Sequence, residues 1–171
     1  MAIELHPAIV KSLHWPDEAH TAAFAAVLAQ ALLATGGNAS IALHGDLGAG
    51  KTTFVRHLLR ALGVEGRIKS PTYAVVEPYA VTAGSATLSQ KLNIWHFDFY
   101  RFNDPDEWEE AGFRDIFASP GLKLVEWPDK AGPHLPPPDL HIDIDMTADD
   151  ARQVTLRASS PSGQALMGAA E

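Results

Sequence analysis

The chain has no cysteine among its 171 residues. That excludes disulfides, thiol catalysis and thiolate-bound zinc, and it fits a reducing compartment. Positive charge is also scarce: 13 Lys and Arg stand against 21 Asp and Glu, a formal net charge of −8. Affinity for naked nucleic acid comes mostly from neutralising phosphates, so so acidic a chain is a poor direct binder of RNA or DNA. Nucleic acid could still matter through a partner. No apolar run approaches the roughly 18 residues of a membrane span. Residues 1–7 show no basic segment leading into an apolar stretch, so they do not read as a secretory signal. The eight histidines have no metal-ligand spacing such as H-E-x-x-H and read as surface or core polar groups. What is present is ordinary: 46% apolar and 20% charged residues, in a chain long enough to bury a core unaided. The expectation is a soluble, cytoplasmic, single-domain protein.

Hydrophobic periodicity places the elements. Phe24, Val27, Leu28, Ala31 and Leu32 recur at helical spacing, predicting a helix over residues 18–34 capped by Asp17 and stopped by Thr35-Gly36-Gly37. Residues 40–44 are short and apolar and predict a buried strand. Phe54, Val55, Leu58, Leu59 and Leu62 define one face of a helix over 51–62, ended by Gly63. Residues 73–81 and 93–100 are rich in β-branched and aromatic side chains and read as strands. Between them, 82–90 is small and polar, a hairpin loop or mobile insertion. Residues 105–117 look helical but interrupted at Gly112, with Asp104 before Pro105 as a start signal. Residues 122–127 form another short strand, Pro136-Pro137-Pro138 an extended connector, and 140–146 and 153–158 a final pair of strands. The domain is expected to cover 1–158, and residues 159–171 read as a flexible tail.

The strongest chemical signal is Gly45-Asp46-Leu47-Gly48-Ala49-Gly50-Lys51-Thr52, which fits G-x-x-x-x-G-K-[ST] with a strand before it and a helix after it. Glycines let successive backbone N–H groups turn toward phosphate oxygens, and the helix N-terminus adds its positive end. Lys51 is placed to reach the β- and γ-phosphates, and the Thr52 hydroxyl to ligate Mg²⁺. The spacing is not that of a Rossmann fingerprint. No N-K-x-D guanine reader occurs, which favours ATP. Asp98, ending a loose Walker B strand, and Glu126, ending the strand 122–126, are the hard-oxygen candidates for metal and water. Ser70-Pro71-Thr72 lies where a γ-phosphate sensor can sit. These residues alone leave open an ATPase, a small-molecule kinase or a nucleotide-gated binding module of negligible turnover.

Four ordered motifs narrow this. Gly45 to Thr53, Lys69-Ser70-Pro71-Thr72-Tyr73, His96-Phe97-Asp98-Phe99-Tyr100-Arg101 and Leu124-Val125-Glu126-Trp127-Pro128 together resemble the TsaE (YjeE) family, over about residues 16–157. The resemblance implies an α/β P-loop NTPase domain with a mixed, largely parallel central sheet flanked by helices. It implies binding of ATP and Mg²⁺ and slow ATP hydrolysis. The partner would be the TsaB–TsaD heterodimer, which transfers a threonylcarbamoyl group to an adenosine beside the tRNA anticodon, and which the ATPase would reset between turnovers. Contact with tRNA would come through that complex. Carried onto this chain, Asp46, Leu47, Gly48, Ala49, Gly50, Lys51, Thr52 and Thr53 would hold the nucleotide, and Thr52 and Glu126 the metal. Lys51, Asp98, Glu126 and Thr72 would serve catalysis. Trp127 would lie at the nucleotide site or partner face. Asp17, Glu18 and Thr21 would lie near the adenine, with Arg152 closing the other side. Exposed parts of the 69–73 segment and of 105–117 would meet the partner. Residues 80–92 are longer than the hairpin expected between the two middle strands, and the tail after Ala158 matches nothing in the family.

Overall fold

The computed structural model describes residues 9–85 and 88–169. The elements, in chain order, are β1 (Ile9–Trp15), α1 (Glu18–Ala34), β2 (Ala39–His44), α2 (Lys51–Leu62), β3 (Val76–Ser85), β4 (Leu88–Asp98), α3 (Asp106–Glu110), α4 (Arg114–Ala118), β5 (Leu122–Glu126), β6 (Leu140–Met146), β7 (Arg152–Ala158) and α5 (Pro161–Ala169). The strands form one mixed sheet in the order β1-β7-β6-β2-β5-β4-β3. Its centre, β6-β2-β5-β4, is parallel, and the flanking pairs β3–β4, β6–β7 and β1–β7 are antiparallel. This is the expected α/β class.

The parallel centre explains where the chemistry collects. Parallel strands end on the same edge of the sheet, and ligands in open α/β sheets bind outside those carboxyl ends. Here that edge carries the glycine-rich turn after β2, Asp98 at the end of β4 and Glu126 at the end of β5. In register, Glu126 stands beside Leu43 on one side and Asp98 on the other.

Strand alternation then sorts the side chains between two cores. Ile94, Leu122 and Leu124 face the larger core, shared with α1 and α2. Phe97 and Val125 face the opposite way, into an aromatic cluster with Phe99, Phe102, Trp108 and Phe113. His96, Asp98 and Glu126 have the parity of Ile94 and Leu124, and therefore lie on the α2 side. Trp15, Phe24 and Phe54 tie β1, α1 and α2 together, with ring centroids 5.4–5.9 Å apart.

Local signals mostly hold. Asp17 caps α1, accepting from the His20 backbone N–H at 3.0 Å, and Gly63 ends α2 in the left-handed conformation with φ 105°. All five periodic residues of α2 are buried. In α1, Val27 is exposed, and the buried face instead includes Thr21, Ala25 and Ala29. Ala25 and Ala29 join the larger core, so the buried face of α1 includes small residues that a search for large apolar side chains passes over.

Three expectations are corrected and one strand is added. Residues 82–85 and 88–90, expected in a hairpin loop or mobile insertion, are strand: the β3–β4 ladder continues to Ser85 opposite Leu88, since backbone pairing does not need large side chains. Residues 86 and 87 lie outside the described residues. The first middle strand starts at Val76 rather than at 73, because Val75 takes φ 70° and its N–H closes a turn on Pro71 O at 2.6 Å. Residues 9–15, which carried no assignment, form an edge strand. The segment read as a flexible tail forms α5, which buries Leu166 and Met167 in the larger core. The last two residues fall outside the described ones.

Candidate nucleotide site

The loop between β2 and α2 curls as its composition demands. Gly45, Gly48 and Gly50 take φ values of 149°, 82° and 111°, which L side chains rarely adopt. Gly50 caps α2, and its carbonyl accepts the Phe54 N–H at 3.0 Å. Lys51 is buried. Its Nζ donates to the carbonyls of Gly45 and, at 3.1 Å, Asp46, and sits 4.1 Å from the centroid of the Trp127 ring. Trp127 itself has φ 57°. A left-handed tryptophan costs about 1–3 kcal/mol, and such strain is characteristic of binding sites.

One cavity joins Leu47 to Thr53 with Thr72, Asp98, Tyr100, Glu126, Trp127 and Arg152. Thr52 Oγ1 donates to Glu126 Oε1 at 2.8 Å. The other oxygen of Glu126 lies 2.6 Å from His96 Nε2. Asp98 accepts from the Tyr100 N–H at 2.9 Å and from Thr72 Oγ1 at 3.3 Å. Thr72 Oγ1 also lies 2.8 Å from Ser70 Oγ. Burial pushes the Asp98 carboxyl above its ordinary range, and the nearby Glu126 pushes it the same way. Burial pushes the Lys51 ammonium below its ordinary value, against the pull of Glu126, Asp98 and Asp46. The cavity thus sets two cations, Lys51 and Arg152, against two acids, Asp98 and Glu126, in a partly dry setting where charge interactions are stronger than in water.

A second cavity adjoins the first along Ala49, Gly50, Thr53 and Arg152, and is closed by Trp15, Asp17, Glu18, Thr21, Ile144 and Asp150. Arg152 stands at the junction. Its Nε donates to Ala49 O at 2.6 Å and its Nη1 to Asp150 O at 2.6 Å. Glu18 Oε1 lies 2.9 Å from His57 Nε2.

The structure therefore brings the sequence-derived residues into two contiguous cavities. Lys51, Thr52, Thr72, Asp98, Glu126 and Trp127 line the first, and Asp17, Glu18 and Thr21 the second. Asp46 lines neither. It lines a third cavity with His44, Asp129 and Asp145, on the other side of Trp127. Sequence reasoning missed His96 and Trp15. The spacing of His96, two residues before Asp98 on one strand, was the available signal. Trp15 had none, because its strand was not recognised.

A parallel strand, a glycine-rich turn closed by lysine and threonine, and carboxylates on the two neighbouring strand ends define a P-loop protein of the nucleotide-binding class. The sequence profile of the family described as "Threonylcarbamoyl adenosine biosynthesis protein TsaE" matches residues 15–154. The chain is 40% identical over 156 residues to the tRNA threonylcarbamoyladenosine biosynthesis protein TsaE of Haemophilus influenzae, covering 90% of this chain and 93% of that one. It is 36% identical over 118 residues to the protein of that name from Bacillus subtilis, covering 69% and 68%. The crystal structure of YdiB from Bacillus subtilis superposes with a TM-score of 0.73 at 27% identity, over 96% of each chain. The chain belongs to the TsaE family.

Proposed function

We propose that this protein is the Mg²⁺-dependent, ATP-hydrolysing subunit of the machinery that forms threonylcarbamoyladenosine in tRNA, acting with a TsaB–TsaD heterodimer and resetting it between turnovers. The observation that carries the reading is the Thr52–Glu126 hydrogen bond beside Lys51, in a cavity that also holds Asp98 and Thr72. The names of the relatives support the pathway, and the acidic balance of the chain suits contact with tRNA through a partner.

The donor set fits Mg²⁺. Among the described residues no group of three or more His, Asp or Glu could hold a metal by itself. One hydroxyl and one carboxylate, completed by phosphate oxygens and water, is the arrangement Mg²⁺ takes with nucleotides. Thr52 and Glu126 would hold it, and when bound it would neutralise charge on the phosphate oxygens. The chain's own residues do the rest. The P-loop amides from Leu47 to Thr53 cradle phosphates, and Lys51 exchanges its loop carbonyls for phosphate oxygens. Asp98, with its raised proton affinity, orients the attacking water. Thr72, tied to Asp98, couples the 69–75 segment to the γ-phosphate. The base enters the cavity of Trp15, Glu18, Thr21 and Arg152.

The test is phosphate release from ATP, with and without TsaB–TsaD, by wild type and Glu126→Ala. We expect stimulation by the pair, and a fall of about 10²-fold or more in the variant with the fold intact by circular dichroism. Hydrolysis indifferent to the pair counts against the partner. Undiminished hydrolysis by Glu126→Ala counts against the site.

A further inference from the structure

One buried side chain at the site has no part in the reaction as proposed. His96 lies on β4, two residues before Asp98 and on the same face, and is 1% exposed. Its Nε2 approaches Glu126 Oε2 at 2.6 Å, while Glu126 Oε1 accepts from Thr52 Oγ1 at 2.8 Å. Both oxygens of a carboxylate that is itself 2% exposed are therefore engaged. A carboxylate in contact with a ring nitrogen needs a donor there, which puts a proton on Nε2. The other ring nitrogen, Nδ1, is buried and has no hydrogen-bond partner among the described residues. Burying a polar nitrogen without a partner costs stability, and an apolar side chain would avoid that cost. The polar contact recorded for this ring is the one to Glu126.

We propose that His96 is a positioning residue for Glu126. It holds one carboxylate oxygen so that the other, paired with the Thr52 hydroxyl, stands ready as a ligand for a divalent cation. It touches neither nucleotide nor metal and acts only through Glu126, as partners behind metal ligands do elsewhere. The inference rests on the reading of Glu126 as a metal ligand.

The test uses the full chain and measures ATP affinity by calorimetry in EDTA and across a Mg²⁺ titration, for wild type, His96→Leu and His96→Gln. The Gln amide reaches about as far as Nε2 and can donate to the carboxylate. We expect His96→Leu to raise the Mg²⁺ concentration needed for half-maximal tightening of ATP by about tenfold or more, leaving affinity in EDTA unchanged. His96→Gln should recover most of the loss. If His96→Leu does not purify as a folded protein, His96→Asn, whose amide is too short to reach Oε2, takes its place. A Mg²⁺-dependent wild type with an unshifted Leu or Asn variant overturns this inference alone, as does an equal loss of affinity in EDTA. ATP binding by wild type that ignores Mg²⁺ overturns the reading of Glu126, and the inference with it.

Discussion

Gly45 directly follows β2 and lies against the backbone of β6. A Cβ built there would stand 2.5 Å from the Ile144 carbonyl oxygen and 3.1 Å from Ala49 Cβ. Ordinary carbon–oxygen contacts begin near ~3.3 Å, so Gly45→Ala must push the turn off the sheet by roughly 0.8 Å. Gly48, in the same loop with φ 82°, meets no atom of the described residues within 4 Å. Gly48→Ala therefore carries backbone strain alone, about 1–2 kcal/mol. Gly45→Ala adds about 1–3 kcal/mol of overpacking to about 1–3 kcal/mol of strain. A protein of this size melts about 2–4 °C lower per kcal/mol lost. Scanning calorimetry should then find Gly45→Ala roughly 4–24 °C below wild type and Gly48→Ala roughly 2–8 °C below. The Gly45 carbonyl also accepts the Lys51 ammonium, so the displaced turn carries the lysine with it. A misplacement of about 1 Å costs roughly 10²-fold where geometry decides, and phosphate release should fall accordingly. Equal melting temperatures for the two variants would refute the argument from Ile144.

Two further outcomes follow from other parts of the molecule. Asp98 has its proton affinity raised by burial, so its charged form costs native stability at neutral pH. That cost begins to fall as pH drops through the folded-state pKa and is gone below the unfolded one, which lies lower. In chelator at pH 7, Asp98→Asn should therefore be more stable than wild type, by about 1 kcal/mol, with the gap closing as pH falls into the carboxylate range. Urea melts at several pH values check this, and a less stable variant at pH 7 refutes it. Deleting residues 160–171 removes Leu166 and Met167, which are 1% and 4% exposed. At about 1.5–3 kcal/mol per buried side chain, the urea midpoint should fall markedly. An unchanged midpoint would return the segment to the status of a dispensable tail.

Local chemistry was legible in the residue order. The P-loop needs its glycines and its Lys51-Thr52 pair in sequence, because one turn wraps one phosphate group and opens one helix. The caps at Asp17 and Gly63 and the buried face of α2 were legible for the same reason: each is decided within a turn or two of chain. Strands with strong side-chain patterns were also found, and the pairing of β6 with β7 followed from their proximity.

The tertiary structure decided what depends on neighbours. The β3–β4 ladder runs through small and polar residues because a partner strand supplies the hydrogen bonds that composition does not announce. α5 forms because α1 and β7 offer its apolar residues a surface. The meeting of Thr52, His96, Asp98 and Glu126 comes from strand order. Only when β5 lies between β2 and β4, in parallel and in register, do residues up to 74 positions apart reach hydrogen-bond distance. Sequence named the atoms capable of the chemistry, and the crossing of the chain through a parallel sheet put them on one edge.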